Sequence, residues 1–117
     1  MMNRSAACIV GSLVAAAFMN QSLATLSFAN GELLGGEILN IAGDVDYGAY
    51  LAGECVVCHR AGSEIPTLYN YDKTYFVDAM VRFQQGLRKN TTMRDIALQL
   101  GDEEIAALAT YFERAAE

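Results

Sequence analysis

The sequence predicts an all-α fold in a single domain. Its clearest segments repeat apolar residues at helical spacing, and none alternates convincingly with a period of two. At 117 residues, with 53% hydrophobic residues and one proline, the chain is neither a disordered tail nor a proline-rich linker. Eight Lys and Arg against 14 Asp and Glu give a net charge of −6, so we expect no nucleic-acid partner.

Residues 1–29 have the plan of a secretory signal peptide. Arg4 supplies positive charge, residues 6–19 form an uncharged and mostly apolar run, and small residues follow at signal-peptidase spacing. The run is shorter than the roughly 20 residues that span a bilayer. We therefore expect cleavage after Ala24 or Ala29, export to the periplasm and no stable membrane insertion afterwards; an uncleaved membrane anchor is the alternative.

The segment after the signal peptide divides into an arm and a domain. Residues 30–43 contain four glycines and scattered Leu and Ile, which predicts an irregular N-terminal arm. The domain is expected over residues 44–117. Its first helix runs from near Asp46 to Cys58, with Asp44 or Asp46 as the cap, and a loop follows over residues 60–72.

A second helix is expected over residues 73–85, and Gly86 suits its end. Its apolar residues lie at positions i, i+1, i+4, i+5 and i+8, which places them on one helical face: Tyr75, Phe76, Ala79, Met80 and Phe83.

Two further helices complete the prediction. A polar loop over residues 87–92 leads to a short helix over residues 93–100. The last helix starts at Gly101 or Asp102, where Glu103 and Glu104 complement the positive end of the helix dipole. Its buried stripe consists of Ile105, Leu108, Ala109 and Phe112.

The motif C-x-x-C-H, residues 55–59, is the attachment motif of c-type haem. Cys55 and Cys58 lie three positions apart on a helical turn, so both thiols can reach the two vinyl groups of one porphyrin. His59 then faces the iron. The sequence therefore predicts one covalently bound haem c, wrapped by about four helices.

Three alternatives compete for the same residues. A structural zinc site needs four ligands, and after loss of Cys8 with the signal peptide the chain has three Cys and His in total. A thioredoxin-like dithiol normally lies in a βαβ pattern, which is missing here. A plain structural disulfide is the third alternative.

The second axial ligand of the iron is expected to be a methionine. His59 is the sole histidine, and a thioether is the usual substitute for a second imidazole. Met93 follows a polar loop that can carry it over the open haem face, whereas Met80 is better explained by core packing. An open site or a Lys or Asn ligand are the remaining alternatives. The Pro66 carbonyl is a candidate acceptor for the second ring N–H of His59, with an ordinary turn proline as the alternative.

At these residues the sequence resembles class I c-type cytochromes over about residues 44–116. The resemblance implies that the first helix packs across the last, with Gly48 against Tyr111 or Phe112. Within the class, Y-F-x-x-A-M from Tyr75, T-x-M ending at Met93 and D-E-E-I from Asp102 are similar to the cytochrome subunits of flavocytochrome c sulfide dehydrogenases. The usual basic-Gly-Tyr stretch before the last helix is replaced by residues 98–101.

This resemblance implies an electron-transfer subunit with no catalytic residues of its own. It would accept electrons from a flavoprotein dehydrogenase that oxidises sulfide, with FAD held in the partner chain, and pass them to a soluble acceptor such as another cytochrome. A free electron shuttle without a stable partner is the alternative. The third hypothesis is a structural or metal-binding helical domain whose cysteines only stabilise the fold. Arg88 and Lys89 are a candidate partner contact or an ordinary solvated pair. Tyr69 and Tyr71 are candidates to flank the haem.

Overall fold

A computed structural model describes residues 31–116. Within that range it contains five α-helices and no strand, which confirms the all-α prediction. The predicted signal peptide, with its cleavage points after Ala24 or Ala29, lies outside the described residues. No helix in the described range is long and apolar enough to cross a membrane. The helices are α1 (Gly36–Leu39), α2 (Val45–Cys55), α3 (Lys73–Gln84), α4 (Thr91–Ala97) and α5 (Asp102–Arg114).

Helices α2 and α5 cross each other at a glycine. Asp44 caps α2, where its carboxylate accepts a hydrogen bond of 2.9 Å from the Tyr47 amide. A Cβ added to Gly48 would overlap the carbonyl oxygen of Ala107 and lie 2.8 Å from Cβ of Tyr111. The two backbones therefore approach more closely than any side chain at position 48 would allow. This agrees with the expected pairing of Gly48 with an aromatic residue of the last helix.

Helix α3 forms where its sequence pattern predicts it. The Asp72 carboxylate accepts hydrogen bonds from the amides of Thr74 and Tyr75, and Gly86 turns the chain after the helix with a φ of 73°. The helix buries Phe76, Met80 and Phe83 as expected. Tyr75 departs from the prediction, because it is 60% exposed at the edge of that face.

Helix α4 begins two residues earlier than its apolar pattern predicts. Asn90 adopts an extended backbone, and its side-chain oxygen accepts a hydrogen bond of 2.9 Å from the Met93 amide. This cap starts the helix at Thr91, so Met93 lies in the first helical turn and not at the end of a loop.

The arm expected to be irregular contains one helical turn, α1. Gly35 precedes it with a φ of 76°, and Ile38 within it is 2% exposed against the core. The Asp78 carboxylate on α3 accepts a hydrogen bond of 2.8 Å from the Leu34 amide. The turn forms because these contacts with residues distant in the chain hold it, which is why the local glycine content misleads. It also makes the helix count five where about four were expected.

Candidate functional site

A largely apolar cavity of about 420 Å³ lies beside the C-terminal end of α2, with walls from the following loop, α3 and α4. The structure brings to its wall the five residues that the sequence predicts to bind a haem or to orient its ligand. These residues are Cys55, Cys58, His59, Pro66 and Met93.

The C-x-x-C-H motif continues α2 as a tight turn. The amides of Cys58 and His59 both donate hydrogen bonds to the carbonyl oxygen of Cys55, at 3.3 Å and 2.9 Å. Both thiols are free. Burial, and to a smaller extent the charge of Glu54, raises the pKa of the Cys55 thiol. Reactive C-x-x-C thiols have a lowered pKa, so this environment disfavours a dithiol redox site.

The His59 ring is oriented by the loop that follows it. Its Nδ1 lies 2.8 Å from the carbonyl oxygen of Pro66, which accepts the hydrogen bond from the ring N–H. A neutral imidazole that donates from Nδ1 keeps an unprotonated Nε2 available for a metal. The contact predicted for Pro66 is therefore present in the structure.

Both methionines of the described range line the cavity. Met80 lies inside the packed face of α3 and is 5% exposed, as its expected core role requires. Met93 is half-buried on the wall that α4 forms and packs against the same core. The structure thus places Met80 in the shared core and Met93 near the protein surface.

Aromatic and aliphatic side chains supply most of the remaining wall. Among them are Leu68, Phe76, Phe83, Ile96 and Leu108. Tyr71 also lines the cavity, but Tyr69 does not, because its ring packs edge-on against Phe112 at a centroid distance of 6.0 Å. Of the two tyrosines expected to flank a bound group, the structure brings Tyr71 alone to the wall.

Polar side chains are few and unevenly placed around the cavity. Glu54 and Glu64 lie on the side of the cysteine motif, whereas Arg88, Asn90 and Thr92 lie on the side of α4. Sequence reasoning did not assign Asn90 or Thr92 to the site. The signal that could have identified Asn90 is its capping role, which fixes the start of α4 and therefore the place of Met93.

These residues fit a haem. The cavity has the size and the apolar lining typical of a small-ligand site. Two thiols, one imidazole nitrogen with a free lone pair and a thioether meet at its wall, which matches thioether attachment and His–Met ligation. Among the described residues, no group of three or more His, Cys, Asp or Glu side chains is arranged to hold a metal ion directly. The zinc alternative therefore finds no ligand set in that range.

No protein-family model matches the chain. The chain is similar to a curated protein named thiosulfate dehydrogenase electron acceptor, from Thiomonas intermedia (strain K12). The two are 32% identical over 69 residues, which cover 54% of this chain and 32% of the relative. The chain thus spans about a third of the length of that relative.

Proposed function

We propose that this chain is an exported electron-transfer protein that carries one covalently attached haem c. Cys55 and Cys58 would form the thioether bonds, His59 and Met93 would bind the iron, and the Pro66 carbonyl would orient His59. One observation carries this proposal: the C-x-x-C-H turn opens onto an apolar cavity that Met93 of α4 also lines. The all-α fold and the similarity to a protein named as an electron acceptor support it.

Electron transfer, and not substrate conversion, is the chemistry that this wall favours. A haem supplies one-electron chemistry at its iron. Here His59 and Met93 would both bind the iron, and the haem would then supply electron transfer and not a binding site for a substrate. The apolar wall excludes water, and a thioether ligand together with burial raises the reduction potential. The chain would accept and release electrons without making or breaking substrate bonds.

The proposed electron donor is a dehydrogenase that oxidises a reduced inorganic sulfur compound. The name of the curated relative refers to thiosulfate, and the sequence resemblance points to sulfide and to a flavoprotein with FAD in its own chain. Both the relative's name and the sequence resemblance therefore favour a reduced inorganic sulfur compound as the substrate of the electron donor. The finer proposal is a periplasmic flavoprotein partner that oxidises sulfide, with a soluble acceptor such as another cytochrome downstream.

Expression in a host with a periplasmic haem-attachment system tests the cofactor. We expect a Soret band with a sharp reduced α-band that remains with the protein after acid–acetone extraction. The Cys55→Ser/Cys58→Ser double variant is the matched control and should lose the band. A colourless wild-type protein would overturn the proposal.

Reduction by purified donor enzymes tests the partner. The oxidised protein is mixed either with a thiosulfate dehydrogenase and thiosulfate, or with a sulfide-oxidising flavoprotein and sulfide. The finer proposal predicts rapid reduction by the flavoprotein and co-purification with it. Reduction by the thiosulfate enzyme alone would reject the flavoprotein partner but keep the electron-transfer function.

A further inference from the structure

One side-chain amide joins the end of α3 to the end of α4. Gln84 is the last residue of α3, and its Nε2 lies 2.9 Å from the carbonyl oxygen of Ala97 and 2.9 Å from that of Leu100. Both partners are acceptors, so the nitrogen of the amide, and not its oxygen, must face them. An amide nitrogen has two hydrogens, and here each has an acceptor. Gln84 therefore uses both of its donors on one neighbouring element.

The two carbonyl groups mark the end of α4 and the start of the connection to α5. Ala97 is the last residue of α4, where carbonyl oxygens have no partner inside the helix. The Leu100 amide also donates to the Ala97 oxygen, at 3.2 Å. Leu100 directly precedes Gly101, the N-cap residue of α5. The amide of Gln84 thus fixes the position at which the chain leaves α4.

The residues bonded by Gln84 follow the helical spacing of Met93. Ala97 and Leu100 lie four and seven positions after Met93, a spacing that keeps all three near one side of the segment. Met93 and Leu100 both line the main cavity, and Ala97 is fully buried. The side of the segment that presents Met93 to the cavity is therefore the side that Gln84 anchors.

Helix α4 is too short to be stable by itself, because it has seven residues. Asn90 caps its first turn through the Met93 amide, which fixes where the helix begins. Gln84 comes from another helix, 13 residues before Ala97, and fixes where α4 lies relative to α3, whose Met80 lines the same cavity. Among the described residues, no other hydrogen bond joins α3 to α4.

We propose that Gln84 is a positioning residue that keeps Met93 in place to bind the haem iron. The inference rests on the proposed function, because it needs Met93 as a ligand. A neutral thioether favours the ferrous state, so the ligand depends most on the chain that holds it when the protein is oxidised. Gln84 keeps α4 against α3 and thereby keeps the thioether within reach in both oxidation states. Without the two hydrogen bonds, α4 separates from α3 more often and Met93 is released more often.

Displacement of the methionine by imidazole tests this role. The oxidised haem-containing protein is titrated with imidazole, and the far-red absorption of the sulfur–iron bond is followed as it is lost. Gln84→Leu keeps a side chain of similar size without a donor, so imidazole should bind about tenfold more tightly, the effect of roughly one hydrogen bond. The reduction potential should fall as well. Gln84→Lys restores a donor to the carbonyl oxygens at the helix end and should stay close to the wild type.

Gln99→Leu is the matched control. The Nε2 of Gln99 donates to the carbonyl oxygen of Asp95 at 3.0 Å, so this variant removes an amide from the same segment without changing the contact with α3. It should keep the imidazole affinity of the wild type. A general loss of stability would lower the unfolding temperature and leave the imidazole affinity of the folded protein unchanged. Equal affinities in Gln84→Leu and the wild type, an equal change in Gln99→Leu, or no rescue by Gln84→Lys would overturn the proposal.

Hydrogen exchange separates a failure of this role from a failure of the proposed function. Exchange of the amide hydrogens of residues 91–100, followed by mass spectrometry, should be faster in Gln84→Leu than in the wild type and in Gln99→Leu. A wild type without haem, or a far-red band that survives in Met93→Ala, would reject the proposed ligation and with it this role, even if the exchange differs. A band that depends on Met93, with unchanged exchange and imidazole affinity in Gln84→Leu, would reject the role of Gln84 alone.

Discussion

Met93 and Met80 are chemically alike and line one cavity, but they are expected to respond differently to truncation. In Met93→Ala the haem should stay attached, because Cys55, Cys58 and His59 are unchanged. The reduction potential should fall, because a neutral thioether favours the ferrous state. The weak far-red absorption of a sulfur–iron bond should disappear, because that bond is lost. Visible spectra and a redox titration measure both effects.

Met80→Ala is the matched comparison. Its side chain is 5% exposed within α3, so truncation should cost about 2–5 kcal/mol of unfolding free energy while the far-red band remains. Denaturant titration with a spectrum at each step measures both quantities. The ligand assignment is wrong if the band is lost in Met80→Ala and kept in Met93→Ala.

At the scale of single residues, the site could be read from the sequence wherever the contacts are local. The C-x-x-C-H turn is closed by hydrogen bonds to Cys55, three and four residues back, and Pro66 reaches His59 from seven residues away. The position of Met93 at the cavity wall depends on how α4 packs against the rest of the fold. The residues next to Met93 in the sequence do not reveal that packing. Its helical position could have been predicted, because Asn90 is a strong N-cap residue.

At the scale of elements, the crossing of α2 and α5 gives a prediction with an internal control. Gly48→Ala should destabilise the protein by about 1–3 kcal/mol, because the new methyl group overlaps the backbone of α5. Gly53 lies on the same helix, and a methyl group added there would have nothing within 4 Å, so Gly53→Ala should stabilise the helix by about 0.5–1 kcal/mol. Equal effects in thermal or denaturant unfolding would show that the crossing tolerates a side chain.

The arm is attached to α3 by Asp78. Its carboxylate accepts hydrogen bonds from the Leu34 amide and from Arg82 Nε, and Arg82 also donates to the carbonyl oxygen of Glu32 at 2.7 Å. Burial would raise the pKa of the Asp78 carboxyl, but the hydrogen bonds from Arg82 and Leu34 outweigh it, and the pKa lies below its usual value. The folded protein therefore favours the ionised form of this carboxyl.

This attachment should make the free energy of unfolding depend on pH in the acid range. A lowered pKa in the folded state contributes stability that is fully present above the pKa of the unfolded carboxyl, about 3.9, and is lost as pH falls through the folded value. Asp78→Asn should cost about 1–3 kcal/mol at neutral pH and progressively less in acid. Glu113→Gln, which removes an exposed carboxylate from α5, is the control. Parallel stability curves for Asp78→Asn and the wild type between neutral pH and pH 2 would contradict this role.

The attachment of the arm to α3 explains why the turn α1 could not be predicted from the sequence, whereas helices with local signals could. Helices α2, α3 and α5 have local caps, α3 and α5 also have periodic apolar faces, and each was expected close to its observed start. Helix α2 ends at Cys55, three residues before the expected end at Cys58. The turn α1 has neither signal. It depends on Ile38 entering a core made by distant helices and on a hydrogen bond between Leu34 and Asp78, 44 residues apart. Such contacts become visible in the folded chain alone.

At the scale of the whole molecule, a group bound in the cavity would form part of the hydrophobic core. The wall is built from α2, α3, α4 and the loop after α2, with Leu108 of α5. Helix α2 does not pack directly against α3 or α4, so a bound haem would join it to them. A domain this small buries a modest core of its own. We expect the Cys55→Ser/Cys58→Ser variant to unfold at a clearly lower temperature than the wild type, as followed by circular dichroism. Equal unfolding temperatures would show that the helices pack without the cofactor.

Covalent attachment of one haem adds the mass of the haem to the chain, and the intact mass of the denatured protein measures that addition. The protein is isolated from the periplasm of a host that attaches haem and is measured by mass spectrometry under denaturing conditions. We predict the mass of the chain cleaved after Ala24 or Ala29 plus one haem, and the mass of the chain alone for the Cys55→Ser/Cys58→Ser variant. A wild-type mass equal to the chain alone, or lower by two hydrogens as in a Cys55–Cys58 disulfide, would contradict the account.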